Sequence, residues 1–171
     1  MDQIKLVKLA KKGDKNALLQ LIFNKKSDYY FLALSYLKNE EDSMDVLEEM
    51  IIKVYDSINQ LKKEEAFYSW SKTILVNLCK KRLKDQAKWI PLDCDNRIEE
   101  SHENHQIVSI YVQELLNHLN EKQKEAIYLK YFFDLDLKTI SKVTNTSIGT
   151  VKSRIHTGLK LLNNIVRSEK E

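Results

Sequence analysis

Thr150, Lys152, Ser153, Arg154 and His156 bring five hydrogen-bond donors into seven consecutive residues. Donors grouped near the start of a helix are what base-edge and phosphate contacts in a DNA major groove require. A second basic group, Lys80, Lys81, Arg82 and Lys84, closes a segment that also holds Trp70 and Asn77. An aromatic such as Trp70 can stack on an unpaired base, yet its spacing to Ile74 and Leu78 at i+4 and i+8 favours a core role. A third group is acidic: Asp42, Asp45, Glu48 and Glu49. Catalytic chemistry finds no comparable grouping, since no Gly-rich phosphate loop, no carboxylate pair in an apolar setting and no Ser/His/Asp order stands out. Cys94, His102 and His105 lack the fourth ligand of a closed zinc site. The expectation is a binding protein without metal or cofactor, not an enzyme.

The donors of residues 150–156 need a scaffold, and the local chemistry supplies one. Asp136 is placed to cap a short helix holding Leu137, Ile140 and Val143. Thr144-Asn145-Thr146 forms a tight turn in which Asn145 tolerates the left-handed conformation, and Ser147 caps a second helix with Ile148, Val151, Ile155 and Leu162 inward. This is a helix-turn-helix pattern. Upstream, Val108, Val112, Leu115 and Leu119 are periodic, and Asn120 with Gln123 forms a capping box for a helix through Ile127 and Tyr131.

The first half also reads as helices. Ile4 and Val7 begin a short one, Gly13 stops it, and Asp14 caps the next, whose apolar face is Ala17, Leu18, Leu21 and Ile22. Leu47, Met50, Ile51, Val54, Tyr55 and Ile58 follow helical spacing and predict one buried stripe, with the acidic residues opposite. A further helix presents Phe67, Trp70, Ile74 and Leu78. Only 3 Gly and 1 Pro among 171 residues leave little turn chemistry for a sheet. The fold class is therefore all-α.

The net charge of +3 is too small to argue for nucleic acid by itself. Its distribution is more informative: residues 1–87 carry 16 basic and 13 acidic side chains, 88–106 carry 2 and 5, and 107–171 carry 10 and 7. The acidic stretch holds Pro91 and loses periodicity, which predicts an exposed flexible linker between two small helical domains, 1–87 and 107–171. No apolar run approaches the roughly 18 residues that span a bilayer, the start is not a secretory signal, and the two cysteines form no framework. A cytoplasmic protein with no direct membrane insertion is expected.

Gly149-Thr150-Val151-Lys152-Ser153-Arg154 resembles the GTVKSR signature of sigma domain four in the extracytoplasmic-function group of bacterial RNA polymerase sigma factors. Gly13-Asp14-x-x-Ala17, the stretch Asp42 to Glu49, and Phe67-x-x-Trp70 with Ile74, Asn77 and Arg82 are similar to motifs of sigma domain two in the same group. The resemblance implies a subunit that directs core RNA polymerase to promoters in response to envelope or other external stress. Asp42, Asp45, Glu48 and Glu49 would dock on core polymerase. Trp70, Lys72, Asn77, Arg82 and Lys84, with the loop before Trp70, would recognise and open the minus-10 element of promoter DNA. At the minus-35 element, Lys152, Ser153 and His156 would face base edges, and Thr150 and Arg154 the backbone. The linker would thread the polymerase RNA-exit path, and an anti-sigma protein, membrane-anchored in one form, would be a further partner. The chain departs from the family pattern at Thr157, where many members have Arg, at Thr139-Ile140-Ser141 for Glu-Ile-Ala, at Thr144-Asn145 for Leu-Gly, and at Lys81 for Asp. Two alternatives are a helix-turn-helix regulator that is not a polymerase subunit and a helical adaptor that binds only protein.

Overall fold

Asp14 shows how local chemistry starts the fold. Its carboxylate accepts the Ala17 N–H at 3.1 Å, occupying one of the N–H groups that every helix leaves open at its start. Gly13 just before it takes a φ of +93°, a left-handed conformation that glycine adopts at low cost. The computed structural model describes residues 2–86 and 111–169. The chain divides into two compact units, Met1–Ile90 and Pro91–Glu171, and every regular element among the described residues is helical.

In the first unit, α1 (Gln3–Lys11) buries Leu6, Val7 and Ala10 against α2 (Lys15–Phe23), which buries Ala17, Leu18, Leu21 and Ile22. Periodicity does not predict α3 (Lys26–Leu37). It buries Tyr29 and every residue from Leu32 to Leu37, because α4 and α5 both pack against it and leave no polar stripe. α4 (Glu40–Ser57) begins at Asn39, whose side-chain oxygen accepts the Asp42 N–H at 2.8 Å. Glu40, Glu41 and Asp42 then complement the positive end of the helix dipole.

Two expected faces are rotated. On α4 the buried row is Ser43, Val46, Met50 and Val54; Leu47 and Ile51 lie on its flank and Tyr55 is exposed. On α5 (Phe67–Asp85) the centre of the buried face runs Phe67, Ser71, Leu75 and Cys79, leaving Trp70 and Ile74 half-buried. Ser71 sits inward because its hydroxyl has partners there, the Tyr29 hydroxyl at 2.7 Å and the Phe67 carbonyl at 2.8 Å. Burial pushes the Cys79 thiol up to about 12, so it remains a protonated core residue.

In the second unit, residues 111–117 are helical and bury Leu116. α6 (Glu121–Ile127) opens with the capping box: the Gln123 N–H donates to Asn120 at 3.0 Å and the Asn120 N–H to Gln123 at 3.2 Å. It runs on into one π turn, Tyr128–Phe132. α7 (Leu137–Val143) and α8 (Ile148–Ser168) follow, and α8 packs across both α6 and α7. α8 approaches α6 closely at Gly158, where a Cβ would lie 2.8 Å from Ile127 Cδ1.

Candidate nucleic-acid interface

The turn between α7 and α8 is held by hydroxyls. Asp136 accepts the Thr139 N–H at 2.8 Å and its hydroxyl at 2.9 Å. Partial burial works against its charged form, but these bonds, the Lys138 N–H and Lys130 hold the carboxyl below the usual aspartate range. Ser141 donates to the Thr146 carbonyl at 2.6 Å, Thr144 donates to the Ile140 carbonyl at 2.7 Å, and the Thr144 and Thr146 hydroxyls lie 3.0 Å apart. Asn145 takes a φ of 51°, a conformation Asn adopts more readily than most residues. The Ser and Thr departures from the family pattern thus form a polar staple across the turn.

Ser147 then starts α8 by accepting the Thr150 N–H at 3.0 Å. Val151, Ile155 and Gly158 are buried, so their opposite face is fixed. Lys152, Ser153 and His156 are exposed, Arg154 is half-buried on the flank, and the exposed Thr150 has its hydroxyl 2.9 Å from Ser147. Ile148, expected inward, is 42% exposed at the first position of α8. Lys160 extends the outward row at i+4 from His156 and is exposed; that spacing was the signal that would have found it. Thr157 accepts from Gln123 at 3.1 Å and donates to the Ser153 carbonyl at 2.8 Å, so this position ties α8 to α6.

In the first unit the four acidic residues do not share one environment. Asp42 accepts from Arg82 at 2.8 Å and from Gln86 at 3.2 Å on both oxygens, clamping α4 to α5. Asp45 lies 3.6 Å from Arg82 and is mostly exposed, Glu49 pairs with Lys53 at 3.4 Å, and Glu48 is exposed. Glu48 lies one turn from each of two exposed apolar side chains, Met44 and Ile52, the latter 61% exposed. This ridge combines carboxylates with apolar surface.

On α5, Asn77, Lys81 and Lys84 are exposed and follow i, i+4, i+7 spacing on one face. Trp70 is half-buried with its ring 6.2 Å from Phe67. Arg82 is held by Asp42. Lys72 requires a correction: it is 5% exposed, and its ammonium lies 3.4 Å from Asp28 Oδ2. A buried charge kept next to its carboxylate does not reach a DNA strand. The expected linker 88–106, with Cys94, His102 and His105, lies outside the described residues.

Two family descriptions match this chain: Sigma-70 region 2 over residues 24–88 and Sigma-70, region 4 over residues 109–162. The RNA polymerase sigma factor SigV of Bacillus subtilis (strain 168) is 34% identical over 155 residues, covering 89% of this chain and 92% of the relative. The ECF RNA polymerase sigma factor SigW of the same organism is 27% identical, covering 95% and 96%. Among solved structures, the sigma factor RpoE in complex with the anti-sigma factor NepR from Bartonella quintana has the same fold at a TM-score of 0.59 and 18% identity, covering 86% of this chain and 95% of that one.

Proposed function

The chain belongs to the sigma-70 family and is an RNA polymerase sigma factor of the extracytoplasmic-function group, directing promoter-specific initiation; from that premise we propose how its parts divide the work. Residues 1–87 act as sigma domain two, binding core polymerase and opening the minus-10 element. Residues 107–171 act as sigma domain four, reading the minus-35 element. Residues 88–106 join them. The protein acts in the cytoplasm, carries out no reaction of its own and contributes placement. Among the described residues no helix is long and apolar enough to cross a membrane.

The observation that carries the reading of domain four is the outward row of α8, where Lys152, Ser153 and His156 stand opposite the buried Val151 and Ile155 beside a capped helix start. That geometry fits a recognition helix whose first turns enter a major groove. Thr150 and Arg154, on the flanks, suit the phosphate backbone. In domain two, Asp45, Glu48 and Glu49 with Met44 and Ile52 form the docking ridge for core polymerase, and Asp42 keeps α5 in register with it. Asn77, Lys81 and Lys84 follow the minus-10 strand, with Trp70 and the loop of residues 58–66 at its upstream edge and Arg82 joining them.

Two recognition surfaces with modest charge bind DNA weakly when separate. Held on one polymerase, each raises the effective concentration of the other, so specificity comes from simultaneous recognition. RpoE of Bartonella quintana is bound by an anti-sigma factor; an anti-sigma protein covering the same ridge would hold this chain inactive. Transcription with purified core polymerase tests the proposal. Initiation from promoters bearing both elements is expected, and a chain that bound promoter DNA without stimulating core polymerase would overturn it in favour of an ordinary regulator.

A further inference from the structure

The loop between α4 and α5 is supported from behind by α1, a helix with no part in the DNA or polymerase surfaces. Residues 58–66 bury Ile58 and Leu61 and carry two short 3-10 turns, Ile58–Gln60 and Glu64–Ala66, while Lys62, Lys63 and Glu65 are exposed. The Lys11 ammonium of α1 donates to the Leu61 carbonyl at 2.7 Å and to Glu64 Oε1 at 2.9 Å. From the other end of α1, Gln3 Nε2 donates to the Glu64 carbonyl at 3.3 Å and the Glu65 carbonyl at 3.2 Å. Gln3 and Lys11 lie about 12 Å apart along the helix axis at 1.5 Å per residue, so the loop is held at two separated points.

The hold is firm for chemical reasons. The Leu61 carbonyl, between the two 3-10 turns, needs a donor, and an ammonium is a stronger donor than water or a neutral amide; the Glu64 carbonyl accepts the Phe67 N–H as well as Gln3. The Lys11–Glu64 pair is only 21% and 24% exposed, so solvent screens it less than a free surface pair. The hydrogen bond from Lys11 is the main cause that holds the Glu64 carboxyl below its usual range. α1 is in turn fixed through Leu6, Val7 and Ala10.

We propose that α1 is the positioning element of the minus-10 reader: Lys11, seconded by Gln3, presets the loop of residues 58–66 so that its exposed tip, Lys62 and Lys63, meets the opened strand. This rests on the assignment of that loop to the minus-10 element. A loop preset by side chains from behind avoids the entropy of ordering on contact and keeps its tip in the narrow geometry that base discrimination needs. Lys11 is a positioning residue, since it acts through the loop.

The test uses holoenzyme assembled from the full chain and core polymerase, transcribing a promoter library randomised across both elements, with transcripts sequenced. Lys11→Met keeps the aliphatic stem and removes the donors. It is expected to flatten preference at one or more minus-10 positions by at least about fivefold, the low end for one base-pair mismatch. Minus-35 preference, core affinity and helical circular dichroism should stay unchanged, and Lys11→Arg should restore most of the discrimination. Glu64→Gln, which removes the ion pair and spares the Leu61 bond, should show the same loss in smaller degree and decides the matter if Lys11→Met does not fold. Loss of minus-10 preference in Lys62→Ala with Lys63→Ala, but not in the Lys11 and Glu64 variants, would overturn the positioning role alone. If neither set moves minus-10 preference, the loop assignment itself falls, and the proposal with it.

Discussion

Gly158→Ala should destabilise the second unit although alanine is the better helix former, and Ile127→Val should undo the damage. The added Cβ would lie 2.8 Å from Ile127 Cδ1 and 3.5 Å from both Gln123 Cβ and Leu119 Cδ2. Carbon atoms rest about 3.5 to 4.0 Å apart, so Ile127 must retreat by roughly 1 Å within a packed core. Overpacking of this kind costs about 1 to 3 kcal/mol, against about 1 kcal/mol gained from replacing glycine inside a helix. The net expectation is a loss of about 1 kcal/mol. Ile127→Val alone removes the clashing methyl from a site that is 3% exposed, at a cost of about 1 kcal/mol. In the double variant the alanine methyl occupies vacated space and keeps its helical advantage, so stability should return to near the parent with a favourable coupling of about 1 to 2 kcal/mol. Amide hydrogen exchange of Val151 and Ile155 in the full-length chain reads the opening of this unit by itself. About tenfold in protection corresponds to about 1.4 kcal/mol. Additive single effects, or a Gly158→Ala variant more protected than the parent, would refute the close approach of α8 to α6.

Replacing both Asp45 and Glu48 by Lys should weaken core polymerase binding several-fold or more with helical circular dichroism intact, because both face away from Val46 and Met50; undiminished co-purification with core would count against the ridge. Lys152→Ala should cost about 1 to 3 kcal/mol at a single minus-35 position if the lysine reads a base, whereas a uniform loss across all sequences with a salt slope smaller by about one marks a phosphate contact. No change in yield or preference in a minus-35 library would mean that the recognition face is misassigned. Asp136 has a lowered carboxyl, so its stabilising contribution is complete above the unfolded value of about 3.9 and is lost as pH falls through the folded value below it. Asp136→Asn keeps a cap and should remove that share of acid sensitivity. Urea midpoints followed at the Ile140 amide resonance check this, and identical acid dependence in parent and variant would exclude the aspartate.

Residues no more than three apart carried most of what the sequence alone determined. Gly13 with Asp14, Asn120 with Gln123, Asp136 with Thr139 and Ser147 with Thr150 mark helix starts because a cap needs only its own neighbours. Asn145 marks the turn for the same reason. Helical class and the helix-turn-helix were therefore legible before any packing was known, as was the row Lys152, Ser153 and His156. Packing decided the phase of each face. α4 carries two adjoining apolar rows: Met50, Val54 and Ile58 of the expected stripe are buried, and only the positions of α3 and α5 add Val46 and leave Leu47, Ile51 and Tyr55 at the edge. α3 escaped because its second half, Leu32 to Leu37, is buried all round and has no polar side to reveal its period. Lys72 looked like a DNA contact until Asp28, 44 residues away, was placed beside its ammonium, and Asp42 stood with the docking carboxylates until Arg82, 40 residues away, met it. The value of Gly158 is written on another helix, in the methyl of Ile127. A cap is chosen by bonds within one turn of chain, whereas the environment of a long charged side chain or a missing Cβ is set by whichever distant segment the fold brings against it.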